Sequence, residues 1–123
     1  MFRPSVPAVL TGFVVALLGS VGQGADSKGH YQILGRGTTS CGSYLEARRT
    51  RDVSFLAYEA WLTGYVTAVN LASANTEDIS RGTDLDGLLG WLDNWCQTHP
   101  TSSYASASEA LVSFLRRKRT TAE

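Results

Sequence analysis

Two cysteines, at positions 41 and 96, restrict this chain more than any other feature of its sequence, because joining them closes a loop that holds 54 residues. In the chain-entropy view a closure of that size stabilises a fold by roughly 4 kcal/mol. A domain of this length has about 5–15 kcal/mol in total. The bridge, if formed, therefore decides whether the domain folds, and it requires an oxidising compartment. The N-terminus supplies the route to one. Arg3 precedes the apolar run Val6–Leu18, and the small or polar residues Gly19-Ser20-Val21-Gly22-Gln23-Gly24 follow it. Charged, apolar and small-residue regions in that order read as a secretory signal peptide, with cleavage after Gly24. The apolar run is shorter than the roughly 20 residues of a membrane span. The expected division is a signal peptide over 1–24, a flexible leader over 25–39, a helical domain over 40–118 and a tail over 119–123. The expected location is the bacterial periplasm or the exterior.

Without Arg3, ten of the 11 Lys and Arg remain against 11 Asp and Glu. A balance so near neutrality gives no global attraction to nucleic acid or anionic lipid. The basic run Arg116-Arg117-Lys118-Arg119 reads as solvated cations at a helix C-terminus, where the dipole favours them.

From Ser40 onward the apolar spacing is helical, and no strand-like alternation of useful length appears. Ser40 is placed to cap a helix with Cys41, Tyr44, Leu45 and Arg48 on one face. Asp52 caps the next, in which Phe55, Tyr58, Leu62, Tyr65, Val69 and Ala72 form a stripe, widened by Trp61, Val66 and Ala68. Ala60, Gly64 and Ala68 make a column of small residues. Because a glycine inside a helix costs about 1 kcal/mol relative to alanine, a second helix is expected to cross closely at Gly64. Thr83, with Asp86 three residues on, reads as the cap of a third helix carrying Leu85, Leu88, Leu89, Leu92, Trp95 and Cys96 inward. Pro100 ends it. A fourth helix is expected from Ser103 to Arg117, with Tyr104, Ala107, Leu111, Phe114 and Leu115 inward. The expected fold is all-α: a small single-domain bundle of about four helices tied by one disulfide, Cys41 to Cys96.

Other uses of the cysteines are weaker. Cys41, Cys96, His99 and His30 would be four zinc ligands, but no Cys-x-x-Cys pair is present. Cys96 and His99 would be nucleophile and base, but no third group orients the pair. Glu59 and Asp93 are the carboxylates nearest aromatic surface and the candidates for a small hydrolase. The reading is a protein that is not an enzyme and needs neither metal nor cofactor. Arg36, Tyr44, Trp61, Tyr65, Trp91 and Trp95 are the candidate partner-contact residues.

The segments Ser40-Cys41-Gly42-Ser43-Tyr44, Glu59-Ala60-Trp61-Leu62-Thr63-Gly64-Tyr65, Trp91-Leu92-Asp93-Asn94-Trp95-Cys96 and His99-Pro100 together resemble small exported bacterial proteins. A cysteine, a central tryptophan-bearing helix and a second cysteine closely followed by proline look like the HdeA/HdeB acid-stress chaperones. The order is also similar to the Rap/Tai type of immunity proteins, which protect the periplasm against type VI secretion effectors. Both resemblances imply a helical, disulfide-tied module that binds protein. The first implies clients and a dimer that loosens as carboxylates protonate, and the second implies a toxin partner. HdeA-like chains are shorter between their cysteines, and Rap/Tai-type chains often carry further cysteines near the end.

Overall fold

The computed structural model describes residues 24–121, so the segment read as a signal peptide lies almost wholly outside the described residues. Four helices follow one another: α1 (Cys41–Thr50), α2 (Val53–Ala72), α3 (Leu85–Thr98) and α4 (Tyr104–Thr120). Among the described residues there is no strand, and the fold is all-α. Residues 24–31 belong to a separate unit from 32–123. In that unit the Asp26 carboxylate accepts the N–H groups of Lys28 and His30, each at 2.8 Å.

Each helix starts on a side-chain cap that satisfies an otherwise orphaned N–H. Ser40 accepts from Ser43, Asp52 from Ser54, Asp84 from Gly87 and Ser103 from Ser106. The cap of α3 is thus Asp84, not Thr83. The Asp84 backbone is extended and its Oδ1 accepts the Gly87 N–H at 2.8 Å, which moves the start of the helix one residue on.

The disulfide Cys41–Cys96, with Cα atoms 5.0 Å apart, joins the first residue of α1 to the end of α3. The start of α4 meets them there. Cys41 donates its amide to Ser102 O at 2.8 Å, Gly42 to Pro100 O at 3.0 Å, and Tyr104 to Thr39 O at 2.8 Å. Three helix ends therefore converge on one covalent bond. Around it lies a core of Tyr44, Tyr58, Leu62, Leu89, Leu92, Tyr104, Ala107 and Leu111. Ile79, in the connection between α2 and α3, reaches the same core, and its amide is held by Asn70 Oδ1 at 2.8 Å.

Helix α2 packs on α1, on α4 and on a 3-10 turn at Gly35–Thr38. That turn pins the last part of the stretch read as a leader. The Trp61 indole donates to Leu34 O at 2.7 Å, and a Cβ on buried Gly37 would lie 2.3 Å from the Trp61 ring. Only glycine lets the turn lie flat on the indole.

Three expectations about facing need correction. No helix crosses at Gly64: a Cβ there would meet nothing within 4 Å, and Ala60, Gly64, Ala68 and Ala72 all face outward. The core stripe of α2 is instead Phe55, Tyr58, Leu62 and Val66. Of the residues expected inward on α4, Tyr104, Ala107, Leu111 and Leu115 are buried, joined by Ala105, Ser108 and Val112, while Phe114 sits at the bundle edge against Trp91. Helix α4 also runs on to Thr120, and the Arg119 guanidinium reaches the hydroxyl of Thr76 and the carbonyl of Asn75.

Candidate functional site: the outer face of the second helix

The polar centre of the bundle is a closed network. Tyr44 donates its hydroxyl to Asp93 Oδ1 at 2.7 Å, and Arg48 Nε reaches Asp93 Oδ2 at 3.1 Å. The Tyr44 ring lies 4.8 Å from Tyr104 and 5.5 Å from Tyr58, with Tyr58 and Tyr104 edge to face at 4.9 Å. Burial pushes the phenols of Tyr44 and Tyr104 well above the ordinary tyrosine range. The bond to Asp93 adds to the shift at Tyr44, and the neighbouring Tyr58 adds to that at Tyr104. Desolvation of this kind disfavours the charged phenolate. Each Asp93 oxygen thus has a partner within the bundle.

The six candidate contact residues separate. Tyr44 is fully buried in this cluster. Arg36 lies with its guanidinium 5.2 Å over the Tyr58 ring. Trp61 is half-buried, stacked on Tyr65 at 5.4 Å and edge-on to Tyr104 at 5.7 Å. Trp91 pairs with Phe114, and Trp95 stacks on His99 at 3.9 Å near the C-terminal end of α3. No single surface holds all six. Among the described residues, no group of three or more His, Cys, Asp and Glu is arranged to hold a metal.

A surface that the sequence reading passed over lies on the solvent side of α2. Val53, Leu56 and Leu71 are 82 %, 61 % and 90 % exposed. With Ala57, Ala60, Thr63, Gly64, Thr67 and Ala68 they form one side of the helix, along which no residue is charged. The hydroxyl of Thr63 donates to Glu59 O and Ala60 O at 3.0 Å, and that of Thr67 to Thr63 O at 2.7 Å. Both threonines so spend their donors on their own helix, and the face can shed water without stranding one. Glu59, the one charged residue of the 20 in α2, lies on the flank rather than on this face.

A shallow apolar hollow, lined by Gly35, Arg36, Thr39, Ala57, Ala60 and Trp61, adjoins the face. A helix apolar on both sides is normally buried on both. Here the bundle covers only one. The signal in the sequence was the breadth of the apolar stripe, with Val53, Leu56 and Leu71 falling outside the core-facing side. Among the described residues no helix is long and apolar enough to cross a membrane. Compared with known proteins, the chain matches no family model, no curated protein and no solved structure.

Proposed function

We propose that the protein is an exported protein-binding module of the HdeA/HdeB kind, which docks apolar surface of a partner or client on the outer face of α2. The observation that carries this reading is that face: a 20-residue helix with large apolar side chains in water and no charge along its exposed side. Contiguous apolar patches on soluble domains mark interaction sites. Helices α1 and α4 pack on α2 through its buried side, and Val53, Leu56 and Leu71 stay exposed.

The test is suppression of aggregation of an unfolding client protein between pH 7 and pH 2, together with binding of an environment-sensitive dye. The oxidised protein is expected to hold clients soluble, and Leu71→Lys with Leu56→Glu is expected to lower that protection at least several-fold while the helical spectrum stays unchanged. Full protection by the charged variant, or no protection at any pH, would refute the reading. Capture of one toxin with clients ignored would transfer the same face to the immunity role of the Rap/Tai type.

A further inference from the structure

We infer that Arg36 is the polar anchor of the docking surface, and that the partner segment it receives carries an acidic side chain among apolar ones. The inference rests on the outer face of α2 being a protein-docking surface, and it names the chemistry of what docks there. The observation behind it is a half-buried guanidinium with its donors left over. Among the described residues, the Arg36 side chain has one partner, the Tyr58 ring, with Cζ 5.2 Å from the ring centroid. An arginine carries five N–H donors in a planar fork. None of them meets an acceptor among the described residues.

Carboxylates lie near, yet each is held elsewhere. Glu46 and Asp52 line a polar hollow together with Arg36. Glu46 takes Arg49 with both oxygens, at 2.6 and 3.0 Å. Asp52 accepts from the Ser54 amide at 2.8 Å and from the Thr50 hydroxyl at 3.2 Å as it caps α2. Arg36 is passed over by both groups that could neutralise it. A half-buried charge without a counterion is a site for an external one, and a planar fork suits a carboxylate best.

The guanidinium is also held in place before any partner arrives. Its backbone lies in the 3-10 turn Gly35–Thr38, which Gly37 seats on the Trp61 indole and Thr39 closes by donating its amide to Arg36 O at 3.2 Å. The Tyr58 ring beneath it is 1 % exposed and packed by Tyr44 and Tyr104. Its hydroxyl is bonded to Thr39 Oγ1 at 2.9 Å. Stacking uses the flat side of a guanidinium and leaves the edge, where the N–H groups lie, for a carboxylate. A fork fixed in this way loses little freedom on binding.

Position decides the company that carboxylate keeps. Arg36 lines both the polar hollow, of about 530 Å³, and the apolar one beside Ala57, Ala60 and Trp61, of about 540 Å³. Ala57 and Ala60 belong also to the outer face of α2, so a chain laid along that face passes Arg36. Glu59 lines neither hollow. With room in both, the chain does not have to end there, and the acceptor is an acidic side chain rather than a C-terminus. The uncharged face accepts any apolar segment; the fork at its edge selects those with an acid in place.

The experiment titrates the oxidised protein at pH 7 with acetylated, amidated peptides of leucine, alanine and serine that differ only at a central glutamate, glutamine or lysine. By calorimetry the glutamate peptide is expected to bind at least tenfold more tightly than the glutamine peptide, and the lysine peptide more weakly than either. Arg36→Gln should abolish that preference, and Arg36→Lys should keep part of it, since lysine retains the charge without the fork. In nitrogen-labelled protein the Arg36 Nε–H resonance should move with the glutamate peptide and stay in place with the glutamine one, which a purely structural stacking role does not produce. If Arg36→Gln does not fold, Arg36→Lys and this resonance decide. Equal affinity for the glutamate and glutamine peptides, or a glutamate preference that survives Arg36→Gln, would overturn the inference and leave the binding reading intact. Failure of every peptide to bind would remove both. A glutamate preference that needs Arg36 but is untouched by Leu71→Lys would keep the anchor and remove the outer face of α2 from the binding reading.

Discussion

Reduction of the Cys41–Cys96 bridge is expected to be the largest single perturbation this fold can suffer. The two residues are 55 apart in sequence, and all of α2 with its flanking turns lies inside the loop. Loop-closure entropy for that length amounts to about 14 cal/mol/K, or about 4 kcal/mol at 25 °C. At roughly 4–8 °C per kcal/mol for a domain of this size, the melting temperature should fall by about 16–30 °C. With a urea slope near 1–1.5 kcal/mol/M, the midpoint should fall by about 3 M. The cost belongs to the unfolded chain. The amides of Cys41, Gly42 and Tyr104 bond to Ser102, Pro100 and Thr39 whether or not the sulfurs are joined, so the reduced native state should keep its helical spectrum and its exchange protection at those three positions. Cys41→Ala with Cys96→Ala should cost about 1 kcal/mol more than reduction, since both buried sulfurs leave gaps. The assay is urea unfolding followed by circular dichroism, with and without reductant, beside amide exchange. A midpoint that moves by less than about 1 kcal/mol-equivalent, with protection lost only at residues 41, 42 and 104, would refute the reasoning, because the bridge would then hold a local junction and nothing more.

Other perturbations test the remaining parts of the structure. Tyr44 and Tyr104 have folded-state pKa values raised by burial, so their contribution is complete below the ordinary value near 10 and is lost as pH rises beyond it. Ultraviolet titration should show both ionising only as the protein unfolds, and a single curve for all five tyrosines near pH 10 with the helices intact would contradict their burial. At the acid end, hydrogen bonds from Ser54 hold the Asp52 carboxyl below its ordinary value, and bonds from Ser80 and Gly82 do so for Asp78. The stability they supply is present above about pH 4 and is lost as pH falls further; acid unfolding monitored by helicity should begin there, and Asp52→Asn and Asp78→Asn should flatten that limb. Asp93→Asn leaves Arg48 without its charged partner and is expected to cost about 1–2 kcal/mol, read as a melting shift; a shift within error would show the pair to be solvated. Gly37→Ala forces the Trp61 indole away and should cost about 1–3 kcal/mol, with a red shift in tryptophan emission as the ring meets water; an unchanged spectrum would mean that the turn is not seated on the ring.

What the sequence discloses and what it conceals divide along a physical line. Caps and periodicity are local, so Ser40, Asp52 and Ser103 announce their helices, and a cysteine at the start of one and the end of another announces the bridge. Which side of an apolar helix faces the core is not local. The small column through Gly64 looks like a crossing point, but α1 and α4 reach α2 from the opposite side. Trp61 illustrates the same limit. Nothing in its neighbours shows that its indole donates to Leu34 O, 27 positions before it, and lies against Gly37 of the 3-10 turn. The tyrosine cluster draws on three helices at once, and no spacing within one helix could have shown that Tyr44 meets Asp93 across 49 residues.

These features give the domain two halves with different obligations. The disulfide, the Tyr44–Asp93–Arg48 network and the three tyrosine rings concentrate rigidity where α1, α3 and α4 meet. Helix α2 is held by one face alone, and Asp52, the carboxylate that caps it, also accepts from Thr50 just before the helix begins. Acid that neutralises Asp52 weakens the start of this helix while the covalent junction, which has no titrating sulfur, is untouched. The consequence is an order of events: the exposed face should loosen before the bundle opens, so the apolar surface in water grows while the fold that carries it persists. Backbone exchange at α2 that accelerates at a higher pH than exchange around Cys41 and Cys96 is what that order requires, and simultaneous loss of protection in both places would show instead that the domain is a single cooperative unit with no part free to respond alone.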